Sequence, residues 1–186
     1  MSAAHAAPSP VELETLRYPT GRFQANREPT AAELEEFRNA IAALPAELAA
    51  ATAGLDDRQL DTPYRPEGWT LRQVVHHVAD SHVNAYVRTR LALTEDRPTI
   101  RTYVEAEWAR LPDAEKAPIE VSLRLLEALH QRWAALLRAL PDTALDRPLE
   151  HPDHGTLPLK VLLGLYTWHG RHHVAHIVRL RERMGW

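Results

Sequence analysis

The chain has 186 residues, 45% of them hydrophobic, a formal net charge of -3 and no cysteine. A chain of that length suits one core that buries about 70% of the surface exposed when unfolded, so no second domain is needed. The charge makes no electrostatic case for DNA or RNA, and the missing cysteine excludes disulfides, thiolate ligands and a thiol nucleophile of the protein's own.

Met1 to Pro10 has neither a basic start nor an apolar stretch, and no unbroken apolar run approaches the ~20 residues of a membrane span; the expected location is the cytoplasm. Residues 1–29 carry Pro8, Pro10, Pro19 and Pro29 with little apolar periodicity and read as an irregular arm, leaving 30–186 as a single domain. Thr30 begins a helical pattern. Its hydroxyl and Glu33 stand in capping-box positions, and Leu34, Phe37, Ile41 and Leu44 mark one face, with Pro45 expected to kink or restart the helix before Leu48. The turn-rich segment Asp61 to Trp69 ends at Thr70, which pairs with Gln73 as a second capping box and starts a helix running to about Thr94. A short helix is expected near Val104 to Leu111. A third long helix, from about Pro118, carries Leu125, Leu129, Trp133, Leu136 and Leu140 at spacings of three and four, and Pro141 stops it. Prolines, Asp153 and Gly155 then lead to a last helix from about Pro158 to Met184. Four long helices, long loops and no repeat or strand-like alternation imply an all-α four-helix bundle.

Eleven histidines are many for this length, and seven fall in two helical segments: His76, His77 and His82, then His169, His172, His173 and His176. Two imidazoles four residues apart on a helix project from one side and can grip one ion. In the last helix, steps of four and three give Leu162, Tyr166, His169, His173, His176 and Leu180, a stripe fit for the core, so the 169/173 pair points inward. The row Leu165, Trp168, His172, Ala175 and Arg179 ends in charge and reads as closer to solvent or a side groove. A third ligand has to come from another helix, which offers His77 or its neighbour His76. Three ligands leave a fourth position for water or substrate. His5, His82, His130, His151 and His154 read as ordinary hydrogen-bonded core or surface residues, and the five tryptophans as packing anchors.

The segments Asp61-Thr62-Pro63-Tyr64-Arg65, Gly68-Trp69-Thr70-Leu71-Arg72-Gln73-Val74-Val75-His76-His77-Val78-Ala79-Asp80-Ser81-His82 and Leu163 to Ile177, with the ending Arg183-Met184-Gly185-Trp186, closely resemble the YfiT proteins of the DinB-like superfamily. The likeness runs from Tyr18 onward. It implies a four-helix bundle, a homodimer and one divalent ion per chain, zinc or nickel, on three histidines that fall on His77, His169 and His173. Family members are labelled metal-dependent hydrolases, while the wider superfamily includes enzymes that join small thiols, notably bacillithiol, to electrophiles.

The leading expectation is a metal-activated external thiol attacking an electrophilic substrate, with Arg65, Arg72, Arg88 or Arg132 as candidates to hold its carboxylates. The runner-up is hydrolysis by activated water, with Asp80, His82 or Glu107 as candidate proton carriers and Asp80 alternatively orienting an imidazole. A metal-stabilised bundle without turnover is the third reading.

Overall fold

The computed structural model describes residues 9–186. His5 and all but the end of the Met1 to Pro10 reading lie outside the described residues. Eight α-helices follow in chain order: α1 (Pro10–Arg17), α2 (Ala31–Thr52), α3 (Asp57–Leu60), α4 (Leu71–Thr94), α5 (Glu105–Trp108), α6 (Pro112–Lys116), α7 (Ile119–Ala139) and α8 (Leu159–Met184). Helix α2 packs on α7 and α8, and α4 packs on the same two. Going round the bundle the order is therefore α2, α7, α4, α8, with α2 diagonal to α4. None of these helices is long and apolar enough to cross a membrane.

Both anticipated capping boxes form, Thr30 with Glu33 and Thr70 with Gln73, each satisfying backbone N–H groups that a helix start leaves unpaired. Asp56 with Gln59 and Ser9 with Glu12 make two more. The last of these corrects the irregular arm: Pro10 occupies the first turn, where its missing N–H costs nothing, so α1 forms within the proline-rich segment. A second correction concerns the loop before α8. Pro148–His151 (β1) pairs antiparallel with Gly155–Pro158 (β2), and Gly155 at φ +66° takes the left-handed conformation the tight connection needs. Four-residue strands are too short to display alternation. The short helix expected near Val104 to Leu111 appears as α5, with α6 following Pro112 at its first position.

Arg72, buried at the start of α4, donates through Nε to Asp61 at 2.6 Å, through Nη2 to Asp57 at 2.7 Å and through Nη1 to the carbonyl of Ala117 at 3.1 Å. Arg183 donates to the carbonyl of Tyr64 at 2.6 Å. The Asp61–Arg65 turn is thus stapled to the bundle, the structural role its composition suggests.

The core comes in two parts. One surrounds Trp133, with Ile41, Ala85, Leu137, Leu162 and Tyr166; the other gathers Leu44, Leu48, Val74, Val78, Leu126 and Ile177. Along α4 the boundary between Val78 and Ala85 is His82; along α7, between Leu126 and Trp133, it is His130. Along α8, between Tyr166 and Ile177, it is His169 and His173. Imidazoles thus form a polar layer across the middle of an otherwise apolar bundle, where unpaired polar groups are costly.

Candidate metal centre

His77 from α4 and His169 and His173 from α8 each offer a ring nitrogen, and these atoms lie within 4.8 Å of one another. The Nε2 atoms of His77 and His169 are 3.2 Å apart. Zinc–imidazole bonds of ~2.0–2.1 Å in a tetrahedral arrangement place ligand nitrogens about 3.3 Å apart, so this spacing suits a shared ion. His173 also carries a buried Nδ1 with no hydrogen-bond partner among the described residues. The donor set is chemically consistent: three rings from two helices, with no competing carboxylate in the cluster.

His76, the neighbour that helical geometry alone left open, turns the other way. Its Nδ1 meets Ser122 Oγ at 2.7 Å and its Nε2 meets the carbonyl of Ala117 at 3.1 Å, so both ring nitrogens are engaged near α7.

The remaining histidines of α8 lie under the arm rather than in solvent. His172 is 6% exposed, stacks on Trp168 with centroids 4.5 Å apart, and has Nδ1 3.4 Å from Thr20 Oγ1. His176 stacks on Tyr64 at 3.9 Å and donates from Nε2 to the carbonyl of Arg17 at 3.1 Å. In the 172 row, which reads as closer to solvent or a side groove, Arg179 is exposed, while His172 and Trp168 are covered by Tyr18 to Phe23 of the arm.

Two histidines read as ordinary core residues connect to the centre. His82 places Nε2 3.2 Å from Nδ1 of His169 and Nδ1 3.0 Å from Nε2 of His130, whose own Nδ1 lies 2.5 Å from the carbonyl of Ile41. A signal for His130 existed in the sequence, since Leu126, His130, Trp133 and Leu137 form one inward stripe, all buried. Asp80 does not take the orienting role. The His169 nitrogen turned away from the triad meets His82 instead, and the Asp80 carboxyl is pushed up to about 6 by burial and by Asp113 of α6.

The centre opens into a cavity of about 480 Å³ whose walls include Ser81, Arg88, Tyr103, Glu105, His151 and Tyr166. Of the four candidate arginines, Arg88 alone lines it. Arg88 donates from Nη1 to Tyr166 Oη at 3.0 Å and from Nη2 to the carbonyl of Arg101 at 2.7 Å, both neutral acceptors, and its buried Nε has no partner among the described residues. Arg132 instead lies over the Tyr86 ring. Glu107 is exposed and paired with Arg110 at 2.7 Å, whereas Glu105 faces the cavity with its carboxyl raised by burial.

Burial sets the electrostatics. His77 is lowered to about 4, chiefly by desolvation and then by His172, while desolvation followed by neighbouring imidazoles holds His169 and His173 well below the ordinary value. All three are therefore neutral near pH 7, the form that ligates a metal. In the metal-free protein the unfolded chain takes up protons below about pH 6.5, while folded His77 resists to about pH 4. Stability therefore rises with pH across that window and is lost as pH falls through it. Thermal melts are expected to be level above neutrality and to drop steadily on acidification through the window, with His77 alone contributing on the order of 3 kcal/mol. A melting temperature insensitive to pH there would contradict a buried neutral cluster.

Residues 40–177 match the DinB superfamily. A Bacillus cereus (strain AH820) protein named "Putative metal-dependent hydrolase" is 52% identical over 174 residues, spanning 94% of this chain and all of the relative, and one from strain B4264 with the same description is 51% identical over the same length. Among solved structures, YfiT from Bacillus subtilis, described as "a probable metal-dependent hydrolase with an unusual four-helix bundle topology", superposes with a TM-score of 0.89 at 46% identity, covering 92% of this chain and 99% of that one. With its four-helix order, its histidine layer and these matches, the chain belongs to the DinB superfamily.

Proposed function

We propose that this chain is a metal-dependent enzyme in which His77, His169 and His173 hold one divalent ion, zinc in the first instance with nickel as the alternative. The observation that carries this reading is the convergence of three neutral ring nitrogens within 4.8 Å at the end of an open cavity. An ion held by these three residues would supply Lewis-acid activation of a small thiol or a water as the nucleophile. We take the nucleophile to be an external thiol of the bacillithiol type attacking an electrophilic substrate. A chain without cysteine is compatible with a borrowed thiol, and Arg88 beside the centre is suited to a carboxylate of such a molecule. The names of the Bacillus relatives favour the second reading, hydrolysis of an ester or amide, for which Glu105, a cavity carboxyl raised by burial, is suited to carry a proton. A homodimer forms part of the same proposal, and sedimentation tests it.

Metal-loaded protein incubated with bacillithiol and a reactive halide, and separately with esters, separates the two reactions. Turnover that needs no thiol removes the transferase reading. Arg88→Met is expected to raise KM about tenfold or more for a carboxylate-bearing thiol while leaving neutral thiols little changed, because a neutral side chain takes the place of the ionic contact. Equal effects on both classes would remove Arg88 from substrate binding.

A further inference from the structure

Pro45 lies inside α2, which continues unbroken around it. A proline has no N–H, so the carbonyl four residues earlier loses its helical partner, and here that carbonyl belongs to Ile41. A buried carbonyl left in this way requires another donor. His130, on the neighbouring helix α7, places Nδ1 against it at 2.5 Å.

The direction of every later bond follows from this contact. A carbonyl oxygen only accepts, so Nδ1 of His130 carries the proton, and in a neutral ring Nε2 is then a lone pair. Nε2 is 3.0 Å from His82 Nδ1, which must donate, leaving His82 Nε2 as an acceptor. That acceptor is 3.2 Å from His169 Nδ1, which donates in its turn. His82 and His130 are fully buried, where an uncompensated charge is costly. His169 is thus left with an unprotonated Nε2, the atom that faces His77 Nε2 at 3.2 Å.

We propose that Pro45, the Ile41 carbonyl, His130 and His82 act as a positioning relay, fixing the tautomer and ring orientation of His169 so that its Nε2 lone pair is presented at the metal centre. The relay runs from α2 through α7 and α4 to α8, and makes Pro45 a determinant of ligand geometry on another helix. Partners that fix a ligating imidazole in this way are typically worth about 10–100-fold in metal affinity. This inference rests on the metal reading above, and its test reads the ring protons directly so that the two can fail separately.

Long-range nitrogen–proton NMR on metal-free, 15N-labelled protein is expected to show His169 protonated at Nδ1 alone. His130→Gln offers an amide N–H to Ile41 and an oxygen to His82, so it should keep that tautomer and most of the zinc affinity. His130→Met offers neither, and should mix the His169 tautomers and weaken zinc binding about 10–100-fold. Pro45→Ala returns an N–H to α2 that competes for the Ile41 carbonyl and should shift His169 in the same direction as His130→Met. A wild-type His169 protonated at Nε2 overturns the relay, as does a folded His130→Met variant with unchanged tautomer and affinity. Should His130→Met fail to fold, the wild-type spectrum and Pro45→Ala decide. Stoichiometric zinc uptake with the wrong His169 tautomer refutes the relay alone, and the right tautomer without zinc uptake refutes the metal reading alone.

Discussion

Replacing His77 or His173 by alanine is expected to strip the protein of its ion. Three-ligand binding of zinc draws on a total of the order of 10–16 kcal/mol for a full structural site, so losing one ligand of three forfeits roughly 3–4 kcal/mol, or about 10²–10³ in affinity. Elemental analysis of protein purified without added metal should find about one zinc per wild-type chain, and only traces in either variant after dialysis. Turnover, by whichever nucleophile, should fall with the metal. The fold should survive, since both core clusters lie outside the triad. A wild-type chain that takes up no ion, or an alanine variant that keeps it, defeats the proposal. His76→Ala serves as the contrast: its ring bonds Ser122 and the Ala117 carbonyl, so stability should drop modestly while the metal stays.

The largest effect on stability is expected at Trp133. This side chain is fully buried and packs edge-on against His82, His130, Tyr86 and Tyr166. Truncation to alanine removes its burial and opens a cavity, at a cost of about 3–5 kcal/mol, a large part of the 5–15 kcal/mol that holds a typical domain together. Trp133→Phe should cost far less, because the Nε1 donor has no partner among the described residues and its removal leaves none of their groups unpaired. Urea unfolding of both variants gives the comparison. Alanine and phenylalanine variants of equal stability would mean that ring volume at this position is not what supports the cluster. The alanine cavity also adjoins His82 and His130, so the same variant should loosen the ring order on which His169 depends.

The long helices were legible because their signals are local. Thr30 with Glu33 and Thr70 with Gln73 mark starts, Pro141 marks a stop, and the expected ends of α4, α7 and α8 fall within a residue or so of those observed. The α8 stripe was legible for the same reason: five of its six members are buried, and the sixth, His169, opens onto the cavity. The hairpin and α1 escaped because four residues of strand and two turns of helix show too little periodicity amid prolines. His82 and His130 were read one at a time, and a single histidine on a helix is ordinarily unremarkable.

Local pattern by itself determined that long amphipathic helices form, where they start, and that His169 and His173 share a buried face. The choice of His77 over His76 could not come from the residues alone, because neighbours on a helix differ only by rotation about its axis, and that rotation is set by what the helix packs against. Only the tertiary arrangement, with α2 diagonal to α4 and α7 between them, put the carbonyl freed by Pro45 against His130 and His130 against His82. Contacts between helices far apart in the chain depend on packing order and azimuth, quantities that no short-range spacing encodes.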